Sequence, residues 1–350
     1  MGTSAQPSVS AWSPADAAGN RETARVGVRE VLDVPYGDDG GSCGAANKQA
    51  VDFYFPEDPA GAGGSPPPVV VYVHGGAWRT GDRKAYRELA NRLASEGSFL
   101  VAVVGYRLSS SEQPFLHPGP VVDTARALAL VRDKAAEEGY DAGQIYLCGH
   151  SAGAQITGLL VLVDKYLGEL CPPGSRTLRD CVQGVVAVEG IFDIKRMLDA
   201  HPSYIDFVQT AFGPQDNSER ALAVLRDASP QYHDVPTDCP NFPHYLVIHS
   251  AEDELLEIPP SQAFQEHLNS GGAAACLELG LKGDHFGILH TDEFRRRLVQ
   301  FVRETRGRPK PRVRERLLQA KRAELRGRSL DIMAEVAVQK PPATFRLHER

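Results

Sequence analysis

The chain has 350 residues, of which 42% are hydrophobic and 24% charged, the balance of an ordinary globular protein long enough for one large α/β domain. A formal net charge of -7 gives no general reason to expect nucleic acid as a partner. No apolar run approaches the roughly 18 residues of a spanning helix, and residues 1–24 lack the basic start and apolar centre of a secretory signal.

The expected setting is therefore the cytoplasm, without a membrane partner. None of the six cysteines forms a C-x-x-C pair, which argues against zinc-ribbon and thioredoxin chemistry. Cys148 and Cys276 lie in apolar strand patterns and read as packing thiols. Cys171 and Cys181 flank a short loop and could pair in an oxidising compartment; reduced thiols are the default in cytosol.

Residues 1–24, rich in Ala, Ser, Pro and Gly, read as a disordered leader. Val26 to Val34 and Lys48 to Phe55 alternate enough for two strands, and a Gly/Pro loop follows to Pro68. Val69 to Val73 is a β-branched run suited to a buried strand. It leads into His74-Gly75-Gly76-Ala77-Trp78, whose glycines leave backbone N–H groups open to a ligand. Helical spacing covers Lys84 to Glu96 and Val121 to Glu138, with a strand at Phe99 to Val104 between them.

Gln144 to Cys148 reads as another buried strand, and Ala154 to Val163 as a helix. Between them stands Gly149-His150-Ser151-Ala152-Gly153. A strand, a G-x-S-x-G turn and a helix form the nucleophile elbow of an α/β-hydrolase, which holds the serine at a sharp tip. Residues 164–182 read as irregular, and Gly184 to Val188 as a strand. A long excursion over about 191–240, with helical pieces at 194–198 and 204–212, is expected to form a lid.

His244 to His249 and Cys276 to Leu281 complete the strands, with helices over 262–269 and 293–304. The fold class is thus α/β: a mostly parallel sheet flanked by helices, spanning about 25–306. A basic tail, 307–350, reads as solvated or disordered, with a weak nucleic-acid or anionic-surface contact as the alternative.

The order of chemistry-bearing residues fits that fold. Asp253 follows one strand and His285 the last, giving Ser, Asp, His in chain order. Glu252, Glu254 and Glu257 read as solvated neighbours of Asp253. A serine hydroxyl needs a base to attack a carbonyl at neutral pH. His285 suits that role and Asp253 would orient it. His74 suits loop bracing better than base catalysis. Backbone N–H groups of the Gly75–Gly76–Ala77 run and of Ala152 would hold the oxyanion. The expected partner is a small-molecule substrate, a homodimer staying open. This chemistry calls for no metal and no organic cofactor.

The segments His74 to Trp78, Gly149 to Gly153 and His249 to Leu255, together with Glu189 to Ile194, Tyr204 and Ala211-Phe212, resemble the kynurenine formamidase (arylformamidase) family, its fungal-type members above all. The resemblance covers about residues 48–304. It implies hydrolysis of N-formyl-L-kynurenine to L-kynurenine and formate in tryptophan catabolism, by Ser151, Asp253 and His285. An aniline leaving group wants an aromatic-lined pocket, for which Trp78, Tyr106, Phe192 and Phe286 are candidates. Carboxylesterases and prenylcysteine methylesterase-like enzymes share the H-G-G-x-W form, so the esterase alternative stays open.

Overall fold

A computed structural model describes residues 27–37, 48–57, 59, 64–168, 170, 177–236, 242–313 and 315–319. The proposed leader, Cys171 and most of the basic tail lie outside them.

Eight strands form one sheet: β1 (Val28–Pro35), β2 (Ala50–Pro56), β3 (Val69–Val73), β4 (Leu100–Val104), β5 (Ile145–His150), β6 (Val182–Val188), β7 (His244–Ile248) and β8 (Ala275–Glu278). Their spatial order is β1-β2-β4-β3-β5-β6-β7-β8. β1, β2 and β4 pair antiparallel, and every pairing from β4 through β3 to β8 is parallel. The Val-rich strands β3, β4 and β6 are buried at every position. Helices cover both faces of a parallel sheet, so its central strands have no solvent side and carry near-continuous apolar runs.

The helices are α1 (Arg87–Gly97), α2 (Gly119–Glu137), α3 (Ala152–Leu162), the one-turn α4 (Lys165–Gly168) and α5 (Leu178–Cys181), α6 (Ile194–Ala200), α7 (Ile205–Phe212), α8 (Glu219–Asp227), α9 (Ile258–Ser270) and α10 (Asp292–Thr305). One apolar layer packs α2, α3 and α9 on one face of the sheet. The other packs α1 and α10 on the opposite face through Leu89, Leu93, Phe294 and Leu298.

Three boundaries differ from the sequence reading. The helix expected from Lys84 opens as a 3₁₀ turn over Arg83–Tyr86, where the Asp82 carboxylate caps the Lys84 N–H. The last strand stops at Glu278 because the Glu278 side chain turns back onto the Gly280 N–H. The tail boundary at 306 falls too early. Val313 is fully buried in the core, and the Lys310 ammonium donates to Asp180 O at 2.7 Å. Aliphatic packing and a backbone carbonyl thus hold the first part of a stretch whose charge pointed away from the core.

The chain leaves β3 for β4 on one side, then returns to β5 on the other. Such a switch opens a crevice at the carboxyl ends of the two strands. His74 to Trp78 and Ser151 stand there, and α6, α7 and α8 are inserted between β6 and β7 on the same edge. Among the described residues, no helix is long and apolar enough to cross a membrane.

Candidate active site

Ser151 sits between β5 and α3 with φ 53° and ψ -118°. A non-glycine residue held there costs on the order of 1–3 kcal/mol, supplied by the packed structure around it. A Cβ on Gly149 would strike the Gly153 carbonyl, and one on Gly153 would strike the Val73 carbonyl. The turn is therefore closed to any side chain at either flank. The Ser151 N–H donates to Val188 O at 2.9 Å, and its carbonyl accepts from Ala154 N and Gln155 N as α3 begins.

The loop after β3 lies directly against this turn. A Cβ on Gly75 would come within 2.9 Å of Ser151 Cβ and 2.8 Å of His150 Nδ1. Gly76, Ala77 and Trp78 all have positive φ, 110°, 51° and 59°. The curl lets Arg79 N and Thr80 N both donate to Gly76 O. Among the described residues, the N–H groups of Gly76, Ala77 and Ala152 take no protein acceptor. They are free to serve an anion beside Ser151. Beneath them His74 donates from Nδ1 to Gly75 O at 2.7 Å and stacks on Tyr106. Its burial lowers its pKa to about 4, so it is neutral. It braces the loop.

Asp253 and His285 meet. His285 Nδ1 donates to Asp253 Oδ2 at 2.9 Å, and His249 Nε2 lies 3.3 Å from the same oxygen. The other oxygen accepts the N–H groups of Leu255 and Leu256. Burial works against the Asp253 charge, but the hydrogen bonds from His249, His285 and the backbone outweigh it. They hold the carboxyl well below the usual carboxylate range. Glu254, expected to be solvated, accepts the His285 N–H at 3.0 Å, and Glu252 accepts the Gly283 N–H at the same distance. The two acids tie the His285 loop to the Asp253 loop. His285 is joined to the elbow as well, because His150 Nε2 donates to His285 O at 2.7 Å.

The pocket candidates divide. Trp78 joins an aromatic group: its ring meets Phe212 edge-on at 4.7 Å and lies 6.3 Å from Phe207. Its Nε1 donates to Gln155 Oε1, while Gln155 Nε2 donates to Ala228 O. Phe286 is half-buried and packs edge-on against His285 at 5.1 Å. Tyr106 and Phe192 are corrections. Tyr106 is wholly buried under the loop, its hydroxyl spent on His74 O. Phe192 is wholly buried and stacks at 4.2 Å on Phe264 of α9. Both are packing residues, since no face of either ring is left for a ligand.

Sequence reading did not separate pocket lining from packing for the insertion's aromatics; Tyr204 and Phe207 are half-buried. Their rings are 5.0 Å apart, and the Tyr204 hydroxyl donates to Leu255 O. It also missed the role of Glu189. That residue ends β6 at φ 47°, is fully buried, and has Oε2 3.4 Å from His285 Nδ1 and 3.8 Å from His150 Nε2. An acid directly after the apolar run Val185 to Val188 was the only signal. His150, Glu189 and His285 place potential ligand atoms within 4.8 Å of one another, the spacing a metal ion would need. Two of those atoms are already engaged, His150 Nε2 with His285 O and His285 Nδ1 with Asp253. The set reads better as a support around His285, to which His150 is hydrogen-bonded and Glu189 lies close.

Burial, and then the Asp253 charge, push Glu189 up to about 9 from an ordinary 4.5. The folded chain keeps this proton over a range where the unfolded chain has lost it. The folded state thus binds more protons, and this group's contribution to stability falls as pH rises between those values. Glu189→Gln cannot ionise. Its melting temperature should climb relative to wild type as pH goes from about 5 to about 9. A difference that is constant with pH would refute the assignment.

A turned-out serine at the switch point of a mostly parallel sheet flanked by helices is the architecture of the α/β-hydrolase fold. Residues 51–268 match the BD-FAE family, and the chain belongs to that α/β-hydrolase family. It is 30% identical to the probable carboxylic ester hydrolase LipM of Mycobacterium tuberculosis, over 57% of this chain and 44% of that protein, so it spans less than half the relative's length. It is 27% identical to the kynurenine formamidase of Meyerozyma guilliermondii, over 62% of this chain and 77% of that enzyme. Esterase B from Lactobacillus rhamnosis shares the fold with a TM-score of 0.63 at 18% identity, covering 87% and 90% of the two chains. Formamidases and esterases match comparably, so the narrower family expected from the motifs is one of two groups that the chain resembles.

Proposed function

We propose that the chain is an arylformamidase, hydrolysing N-formyl-L-kynurenine or a close formyl-aryl amide through Ser151, His285 and Asp253. Ser151 Oγ attacks the formyl carbon as His285 Nε2 takes its proton. The oxyanion gathers charge where Gly76, Ala77 and Ala152 offer N–H groups. As the C–N bond breaks, His285 returns the proton to the aniline nitrogen. Water, deprotonated by the same histidine, then releases formate from the serine ester. Asp253 holds the imidazole in the required tautomer and balances its positive charge.

One observation carries the choice of substrate: the half-buried aromatic pair Phe207 and Tyr204, which packs on the buried Trp78. The group runs from the proposed oxyanion loop to Leu255, two residues past Asp253. An aromatic pair beside the Asp253 loop suits an aryl leaving group. Arg79, whose guanidinium lies 5.4 Å above Phe207 and pairs with Asp206 at 2.6 Å, is the cation suited to the substrate's carboxylate. Resemblance to the fungal formamidase supports the same reading.

Loss of N-formyl-L-kynurenine absorbance, beside p-nitrophenyl acetate hydrolysis, tests it. The expected outcome is a kcat/KM for the formyl amide at least about tenfold above that for the ester, a difference of about 1.4 kcal/mol in transition-state binding. Ester turnover without formyl turnover would replace the proposal with a carboxylesterase, the reading to which resemblance to LipM points.

A further inference from the structure

We propose that Glu189 is a second acid for His285, a positioning residue able to take up the Nδ1 proton bond when Asp253 is lost. The inference rests on the reading of His285 as the base, and it concerns a residue outside the Ser–Asp–His set.

Glu189 is placed with more constraint than packing requires. It stands one residue past β6, next to the strand that ends at Ser151, in a left-handed conformation unfavourable for a side chain of its size. Its N–H donates to Ile248 O at 2.8 Å, and Oε1 accepts the Ser250 N–H at 3.2 Å. Oε2 is fully enclosed, has no hydrogen-bond partner, and is 3.4 Å from His285 Nδ1. A buried carboxyl oxygen left unbonded is costly. Strain and an unmet oxygen at one residue, aimed at the base, mark a group retained for the site.

The nitrogen it faces is the one that bonds to Asp253. His285 Nδ1 thus has a near oxygen at 2.9 Å and a reserve at 3.4 Å, offered from adjacent strand ends, β7 and β6. The groups around Glu189 are His150 from β5, Asp253 and Glu254 from the loop after β7, and Asp284 and His285 from the loop after β8. Asp253, Glu254 and Asp284 are acids, and each discourages a charge on Glu189. Asp253→Asn removes the largest of these charges. The substitution that disables the first acid therefore makes the second easier to ionise. A lone Asp-to-Asn change in such a triad costs about 10⁴-fold because the amide imposes the wrong tautomer. Here Glu189 can still accept the Nδ1 proton.

The test uses p-nitrophenyl acetate, whose reaction depends on the serine and histidine whichever acyl group is natural. Wild type, Asp253→Asn, Glu189→Gln, the double variant and Ser151→Ala are compared across pH, with melting curves for each. Asp253→Asn should lose only about 10²-fold in kcat, well short of a lone acid's loss. Its residual activity should rise with pH as Glu189 ionises, at a pH below that of Glu189 in wild type, and this limb should vanish with Glu189→Gln. The double variant should fall to about 10⁴-fold below wild type and lose that limb. If the double variant matches Asp253→Asn at every pH, Glu189 is structural and the proposal is overturned. A double variant that is unfolded is replaced by Asp253→Asn alone, where a flat pH profile overturns it equally. If Ser151→Ala keeps full activity, the serine mechanism fails first, and the Glu189 role falls with it.

Discussion

Ser151→Ala is expected to lower kcat/KM by about 10⁴-fold or more for N-formyl-L-kynurenine and p-nitrophenyl acetate alike. Among the described residues, the nearby rivals are closed to acyl transfer: His150 is fully buried, and Asp253 is engaged by two histidines and two backbone N–H groups. What survives is the rate supplied by the oxyanion donors and by binding. Stability should scarcely move, by less than about 1 kcal/mol, because alanine keeps the Cβ and only a hydroxyl at the turn is lost. Steady-state kinetics with a melting curve check both halves. A loss below about tenfold would mean that another nucleophile attacks.

Gly153→Ala is expected to do the reverse, damaging the fold before the chemistry. The added carbon would press into the Val73 carbonyl and lie 2.6 Å from His74 O, backbone atoms of a central strand and of the loop that follows it. A flexible side chain could swing aside, but neither carbonyl can. The expected cost is about 4 kcal/mol or more, in the range reserved for severe overpacking. Thermal denaturation should show a fall of roughly ten degrees. A fall of a degree or two would show that α3 can slide outward, and the turn would then be less tightly fixed than its neighbours indicate.

The sheet was largely legible because its strands are buried on both faces. Val69 to Val73 and Leu100 to Val104 have no solvent-facing position that could blur the apolar run. Helix edges were less so, since the Arg83–Tyr86 turn is set by a side-chain cap and not by periodicity. In α8 only Ala221 and Leu225 are buried, too few to produce a stripe. The candidate triad could be read because each member follows a strand in fixed order. The pocket could not. Tyr106 and Phe192 stand beside site residues in sequence, yet tertiary packing turns both rings inward. Tyr204 and Phe207 sit on the far insertion and come to the site only through folding. Glu189 was visible as a letter, but its meaning lies in the 3.4 Å to a histidine 96 positions later.

Gln155 joins three parts at once. It lies on the elbow helix, accepts the Trp78 indole proton and donates to Ala228 at the end of the insertion. The sequence holds two tryptophans, Trp12 and Trp78. An indole bonded through N–H and flanked by Phe212 has an emission set by that bond and that neighbour. A displacement of α7 moves the neighbour, and one of Ala228 loosens the glutamine that holds the bond. The protein thus carries its own optical gauge of the insertion, wired to the loop beside Ser151, and replacing Trp12 would leave that signal to a single residue.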